Sequence, residues 1–90
     1  MSGAAAAVAL KRAKELQQKF TARGAVSSET AMTLEELGLG KKSAVFELMI
    51  LRGHIVEIGD KYYFENEKFD DRAVKRLHNF IAGLFIESAE

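Results

Sequence analysis

The chain has 90 residues, of which 48% are hydrophobic, and its 13 basic residues equal its 13 acidic residues in number. This length predicts one domain over residues 1–90, with enough apolar side chains for a hydrophobic core. The absence of cysteine excludes disulfides, thiol catalysis and cysteine-based metal sites. A net charge of zero lacks the basic excess of most nucleic-acid-binding domains, although residues 1–30 hold five basic and two acidic side chains.

The first predicted element is a helix over residues 4–23. Its start is rich in alanine, the residue with the highest helix propensity. Further along, apolar residues recur at spacings of four, three and four, which places them on one face of a helix. This stripe consists of Ala9, Ala13, Leu16 and Phe20.

Two further helices are predicted around a glycine-marked turn. Thr33 and Glu36 have the spacing of a capping box, in which each side chain bonds the backbone N–H of the other residue. This pattern predicts a short helix over 33–38. The stretch "GLGKK" then turns the chain into a helix over 42–52, which Gly53 ends.

The stretch "HIVEIGDKYYF", residues 54–64, predicts a β-hairpin. Gly59 and Asp60 form a two-residue loop with glycine first, as a type II′ turn requires. This turn predicts three cross-strand pairs, namely Ile58 with Lys61, Val56 with Tyr63, and Ile55 with Phe64.

A final helix is predicted over 67–86. Asn66 is a suitable N-cap, and the carboxylates of Asp70 and Asp71 suit the positive end of the helix dipole. Together the elements predict a mainly α-helical chain with one β-hairpin, an α+β fold.

Residues 33–64, "TLEELGLGKKSAVFELMILRGHIVEIGDKYYF", resemble the winged helix-turn-helix superfamily. The resemblance is carried by the Leu37-Gly38-Leu39 turn, by the Phe46…Met49…Gly53…Ile55 spacing and by the Tyr-Tyr-Phe return strand. It implies a winged helix with additional helices at both ends. Many members of this superfamily bind DNA and regulate transcription, often as dimers built by terminal helices, whereas others bind only proteins.

The resemblance also implies which residues face DNA. At the start of the helix over 42–52, only Lys41, Lys42 and Ser43 suit contact with duplex DNA. The wing adds Lys61 at its tip and Arg52 at its base. These residues, with the basic residues of the first helix, predict mostly phosphate contacts. The alternative interpretation of the lysines is a solvated turn before a helix.

The helix over 42–52 is almost entirely apolar, and "NFIAGLFI" in the last helix is apolar on nearly every side. We therefore predict a homodimer in which these helices pair. The predicted interface residues are Val45, Leu48, Leu51, Phe80, Ile81, Leu84 and Phe85. Two alternatives remain: the last helix covers this surface within one chain, or another protein binds there instead of DNA.

Catalysis is not expected, because the chain has no nucleophile motif, no phosphate-cradling glycine loop and no acid–base constellation. His54 and His78 are far apart and predict no metal site, and no cofactor is expected. The apolar runs 4–10 and 80–86 are too short to span a bilayer. The sequence thus predicts a non-catalytic, cytoplasmic winged-helix regulator, with a protein-interaction module as the alternative.

Overall fold

In the computed structural model, which describes the backbone of residues 2–89 and the side chains of residues 7–83, the chain forms three α-helices and an antiparallel hairpin. The elements are α1 (Ser2–Ala22), α2 (Ala44–Leu51), β1 (Ile55–Ile58), β2 (Lys61–Phe64) and α3 (Asp71–Ala89), with 3-10 turns at Ser28–Thr30 and Asn66–Lys68. The predicted α+β class is confirmed. None of the helices in the described residues has the length and apolar content needed to cross a membrane.

The core is built around aromatic rings that come from different elements. Phe20 of α1 is fully buried, and its ring centroid lies 6.1 Å from that of Phe46 and 5.7 Å from that of Phe64. Tyr62 packs edge-on against Phe46 at 5.2 Å, and Phe69 packs edge-on against Phe64 at 5.3 Å. Such pairs contribute about 0.5–1.5 kcal/mol each beyond the area they bury. The cluster therefore holds α1, α2 and the hairpin together.

Helix α1 lies between the other two helices. The predicted stripe is buried at Ala13, Leu16 and Phe20, as the helical spacing requires. Leu77 and Ile81 of α3 belong to the same core. Helix α3 packs mainly against α1, so the last helix covers the first helix more than it covers α2.

The helix predicted over 33–38 is wrong, because these residues form a single hydrogen-bonded turn. The capping box itself is present. The Thr33 N–H donates to Glu36 Oε1 at 3.0 Å, and the Glu36 N–H donates to Thr33 Oγ1 at 3.2 Å. The backbone N–H and the hydroxyl of Thr33 lower the pKa of the Glu36 carboxyl, with a smaller contribution from Lys61.

A helix-ending motif follows this turn directly and prevents the turn from extending into a longer helix. Gly38 has a φ of +76°, which places it in the left-handed region. The Leu39 N–H donates to the Leu34 carbonyl at 2.8 Å, and the Gly38 N–H donates to the Glu35 carbonyl at 3.0 Å. These two bonds are the Schellman motif that ends helices. A start signal and a stop signal this close leave room for one turn only.

Helix α2 is shorter than the predicted range 42–52. Ser43 caps it, because its Oγ accepts a hydrogen bond from the Phe46 N–H at 3.2 Å. At the other end Gly53 has a φ of +81°. The His54 N–H donates to the Met49 carbonyl at 2.9 Å, which is the longer bond of a second Schellman motif. Gly53 thus ends the helix as the sequence predicts.

The hairpin has the predicted register. Ile55 pairs with Phe64, Val56 with Tyr63, and Ile58 with Lys61. The other edge of β2 is also occupied, since Met32 and Tyr62 exchange backbone hydrogen bonds of 2.9 and 2.7 Å. The strand therefore has no long edge open to another chain.

Helix α3 begins later than predicted. Asn66, the predicted N-cap, is wrong in that role, because its side chain accepts a hydrogen bond from Gln17 Nε2 at 2.9 Å and ties the 3-10 turn to α1. The cap is Asp70, whose Oδ1 accepts a hydrogen bond from the Ala73 N–H at 2.9 Å. The predicted range 67–86 is therefore divided into the end of a 3-10 turn and the helix Asp71–Ala89.

The glycine that ends α2 gives a stability test. We expect Gly53→Ala to lower the free energy of unfolding by about 1–2 kcal/mol, because an L side chain is strained at positive φ. Gly83→Ala is the matched control, because Gly83 lies inside α3 with no atom within 4 Å of an added Cβ. That variant should gain about 0.5–1 kcal/mol of stability. Urea unfolding of both variants measures the difference, and equal stabilities would contradict the left-handed conformation at Gly53.

Candidate nucleic-acid interface

A basic cleft of about 170 Å³ lies between α1 and the start of α2. Its charged and polar lining consists of Arg12, Glu15, Lys19, Lys41 and Ser43. We refer to these residues as the α1–α2 cleft. Three basic side chains and one carboxylate give the cleft a positive surplus, although the whole chain has no net charge.

The two helices position the cations of this cleft in different ways. Arg12 and Lys19 are seven residues apart, so two helical turns place them on the same side of α1. Leu16, which lies between them, is 8% exposed and anchors this side of the helix to the core. Lys41 reaches the cleft from the turn that Gly38 initiates. Helix and turn therefore bring together cations that are more than 20 residues apart in the chain.

The start of α2 adds a partial positive charge to the same cleft. The first turn of a helix has backbone N–H groups without intrahelical partners, and the helix dipole is positive there. Ser43 satisfies one of these groups through its Oγ, and its hydroxyl hydrogen remains able to donate. The carboxylate of Glu47, in the first turn of α2, already interacts with the positive end of the helix dipole.

Lys42, one of the predicted DNA contacts, is engaged by its own chain. Its Nζ lies 3.4 Å from Glu57 Oε2 and 5.7 Å from the centroid of the Tyr62 ring. The Tyr62 hydroxyl donates to the same Glu57 oxygen at 3.0 Å. The hydroxyl of Tyr62 and the carboxylate of Glu57 raise the pKa of Lys42. Because the ion pair is largely solvent-exposed, it contributes little to stability and can be broken at little cost.

The five predicted DNA contacts do not form one surface. Lys41 and Ser43 line the α1–α2 cleft, whereas Arg52 lines a separate cleft at the other end of α2 and lies over the Phe80 ring at 5.1 Å. Lys61 is exposed on β2, close enough to Glu36 to affect its pKa. Arg12 and Lys19 were expected only among the basic residues of the first helix. The seven-residue spacing of Arg12 and Lys19 indicated that they share one side of the helix. Only the position of α2 shows that this side, and not another, lines the cleft.

Of the five predicted interface residues whose side chains the structure describes, three are turned at least partly inward. Ile81 is 4% exposed and belongs to the core, so its assignment to an intermolecular surface is wrong. Val45 and Leu48 are half-buried against that core. Leu51 and Phe80 are the predicted residues that stay exposed, at 83% and 41%. The predicted contacts at Leu84 and Phe85 lie outside the described residues.

His54 is a buried polar residue beside the end of α2. It is 6% exposed, its ring packs edge-on against Phe69 at 5.0 Å, and its Nδ1 has no hydrogen-bond partner among the side chains of residues 7–83 or the described backbone. Burial lowers the pKa of His54, and the positive charges of Arg52 and Lys68 act in the same direction, while Asp70 opposes them. The imidazole is therefore held in its neutral form more strongly than in the unfolded chain.

Comparison with protein-family models, with curated proteins and with solved structures finds no match to this chain. The functional assignment therefore rests on the geometry of the chain itself. Within the described residues, no three His, Asp or Glu side chains are grouped as a metal ion would require. The α1–α2 cleft, with its surplus of positive side chains, is suited to anions.

The buried imidazole predicts a pH-dependent stability. The unfolded chain has the higher His54 pKa, near 6.5, so it takes up a proton first as the pH falls. The stability that neutral His54 contributes is complete above that pH. This contribution to stability is lost as the pH falls from the unfolded-state pKa toward the lower pKa of His54 in the folded state. Urea unfolding between about pH 8 and pH 5.5 should show this loss, and His54→Gln, which cannot titrate, should show less of it. The same pH dependence in both proteins would contradict the lowered pKa.

Proposed function

We propose that this chain is a winged helix-turn-helix domain that binds duplex DNA mainly through phosphate contacts and acts as a non-catalytic regulator. The order of elements supports the proposal, since α1, the turn at 33–38, α2 and a β-hairpin follow one another as in that superfamily. In this arrangement α2 is the helix presented to DNA and the hairpin is the wing.

The observation that carries the proposal is the α1–α2 cleft. Arg12, Lys19 and Lys41 converge on the N-terminus of α2, where free N–H groups and the helix dipole already favour anions. Arg offers a planar fork that can hold two phosphate oxygens, and Lys offers a mobile point charge. Contacts of this kind position a protein on the duplex without reading its sequence.

Weak base recognition follows from the surface of α2. The exposed side chains along this helix are Ala44, Glu47 and Leu51, and only Glu47 can form hydrogen bonds with bases. A carboxylate accepts from cytosine amino groups but repels phosphate. We therefore propose a domain whose DNA affinity comes from the backbone and depends strongly on salt.

A double charge reversal tests this proposal. Arg12→Glu combined with Lys41→Glu should abolish binding to a labelled duplex in low-salt anisotropy titrations. Each single variant should reduce the slope of log affinity against log salt concentration by roughly one, because each removes one phosphate contact. Both side chains are exposed, so the fold should survive the changes.

Lys14→Glu is the control for that experiment. Lys14 belongs to the same helix but faces a different recess, together with Gln18 and His78. This variant makes the same change in net charge as each single variant and should keep most of the affinity. If the unmodified protein does not bind the duplex at low salt, the proposal is wrong. An equal loss in Lys14→Glu would show that only net charge matters.

A second function, self-association, is favoured by the exposure of Leu51 on α2 and Phe80 on α3. Burial of Leu51 and Phe80 against a partner would remove their apolar surface from water. The occupant we propose is a second copy of this chain, in which the same residues provide a self-complementary contact.

Analytical sedimentation, which separates dimer from monomer, tests for self-association. If Leu51 lies in a dimer interface, Leu51→Glu should convert the dimer to a monomer without loss of helix content. Val26→Glu is the control, because Val26 is also exposed and apolar but lies in the loop after α1. A monomer in the unmodified protein at high concentration would exclude a dimer.

A further inference from the structure

A second cleft, of about 500 Å³, lies where the end of α2, the start of the hairpin and the start of α3 meet. Its principal lining residues are Leu51, Arg52, His54, Lys68, Asp70 and Arg76. We refer to it as the His54 cleft. It is separate from the α1–α2 cleft, with which it shares no lining residue.

The charges of the His54 cleft have a positive surplus. Arg52, Lys68 and Arg76 face one carboxylate, that of Asp70. Within residues 7–83, the Lys42–Glu57 contact is the only ion pair, so none of these three cations is neutralised by a described side chain. Asp70 already accepts from the Ala73 N–H as the cap of α3. Its charge is partly compensated by the helix, which leaves the cations free to hold an anion.

The backbone holds His54 firmly at the inner wall of this cleft. Its N–H donates to the Met49 carbonyl at 2.9 Å, and its carbonyl accepts from the Glu65 N–H at 2.8 Å. The ring is fixed by its edge contact with Phe69. Nearly all of this side chain is buried, yet Nδ1 has no partner in the part of the chain that the structure describes. Buried polar atoms normally have hydrogen-bond partners, and a group beside the ring that bonds Nδ1 would account for the exception.

One side of the cleft is apolar and solvent-exposed. Leu51, with 83% of its surface exposed, forms this side, and the Arg52 guanidinium lies over the Phe80 ring at 5.1 Å. The ring contact holds the guanidinium near the mouth of the cleft. The lining therefore suits a ligand that combines an anionic group with a small apolar part, in a volume typical of small-molecule sites.

We propose that the His54 cleft binds a small organic phosphate monoester. The phosphate carries nearly two negative charges at neutral pH, which match the surplus of two positive charges in the lining. Arg52 and Arg76 hold its oxygens through their planar donors, and Lys68 adds a third charge-assisted contact. The organic group lies against Leu51. This site shares no residue with the α1–α2 cleft, but it shares Leu51 with the dimer contact proposed above, so the ligand and a second copy of the chain compete for that side chain.

Titration with phenyl phosphate, followed through the His54 ring signals by NMR, tests the proposal. We expect saturable shifts and a higher pKa for His54 in the complex, because a bound anion stabilises the imidazolium. Arg76→Gln should weaken binding about tenfold or more, since it removes a hydrogen bond between charged groups. Lys68→Gln, a second variant at the exposed edge, should weaken binding in the same direction.

Arg72→Gln is the matched control, because Arg72 is exposed on the same helix and does not line the cleft. It should change the affinity less than about twofold. Absence of saturation at millimolar phenyl phosphate, or equal losses in Arg72→Gln and Arg76→Gln, would overturn the site. Benzoate binding as tightly as phenyl phosphate would overturn the choice of a phosphate. Inorganic phosphate binding equally well would overturn the role of Leu51.

Discussion

The packing of the Phe20 ring is the constraint on which the rest of the structure depends. This buried ring contacts Phe46 of α2 and Phe64 of β2, so one side chain fixes α1 against two other elements. Removing a buried phenylalanine side chain costs about 3–5 kcal/mol, which is a large share of the stability of a small domain. The orientation of α1 also decides where Arg12 and Lys19 lie. The α1–α2 cleft on the surface is thus set by ring contacts in the interior.

Local signals in the sequence predicted those parts of the fold that only neighbouring residues decide. The Gly59-Asp60 loop specified the hairpin register, and Gly53 specified the end of α2, because turn geometry depends on the backbone of a few residues. Residues 33–38 contain both a helix-start signal and a helix-stop signal, and no local feature shows which of the two prevails. Asn66 was an acceptable cap by residue type, but a hydrogen bond from Gln17, 49 residues away, engages it elsewhere.

The candidate site was harder to predict, because its residues meet through tertiary packing. Lys41 and Ser43 could be chosen from their place before a helix, yet nothing local indicated that Lys42 would face Glu57 on the hairpin. The many apolar residues of the last helix predicted burial on more than one side. They did not show whether the same chain or a second copy would cover them. Ile81 is covered by the chain's own core, whereas Leu51 is not. That difference depends on how α3 packs against α1.

One Glu57 oxygen accepts hydrogen bonds from both Lys42 and Tyr62. If a phosphate draws Lys42 away, the carboxylate keeps the hydrogen bond from the Tyr62 hydroxyl and is not left without a partner. The exchange therefore requires a change of side-chain rotamer and no movement of the core. In the free protein the charge of Lys42 is balanced by the hairpin, and releasing it would leave the Glu57–Tyr62 hydrogen bond in place.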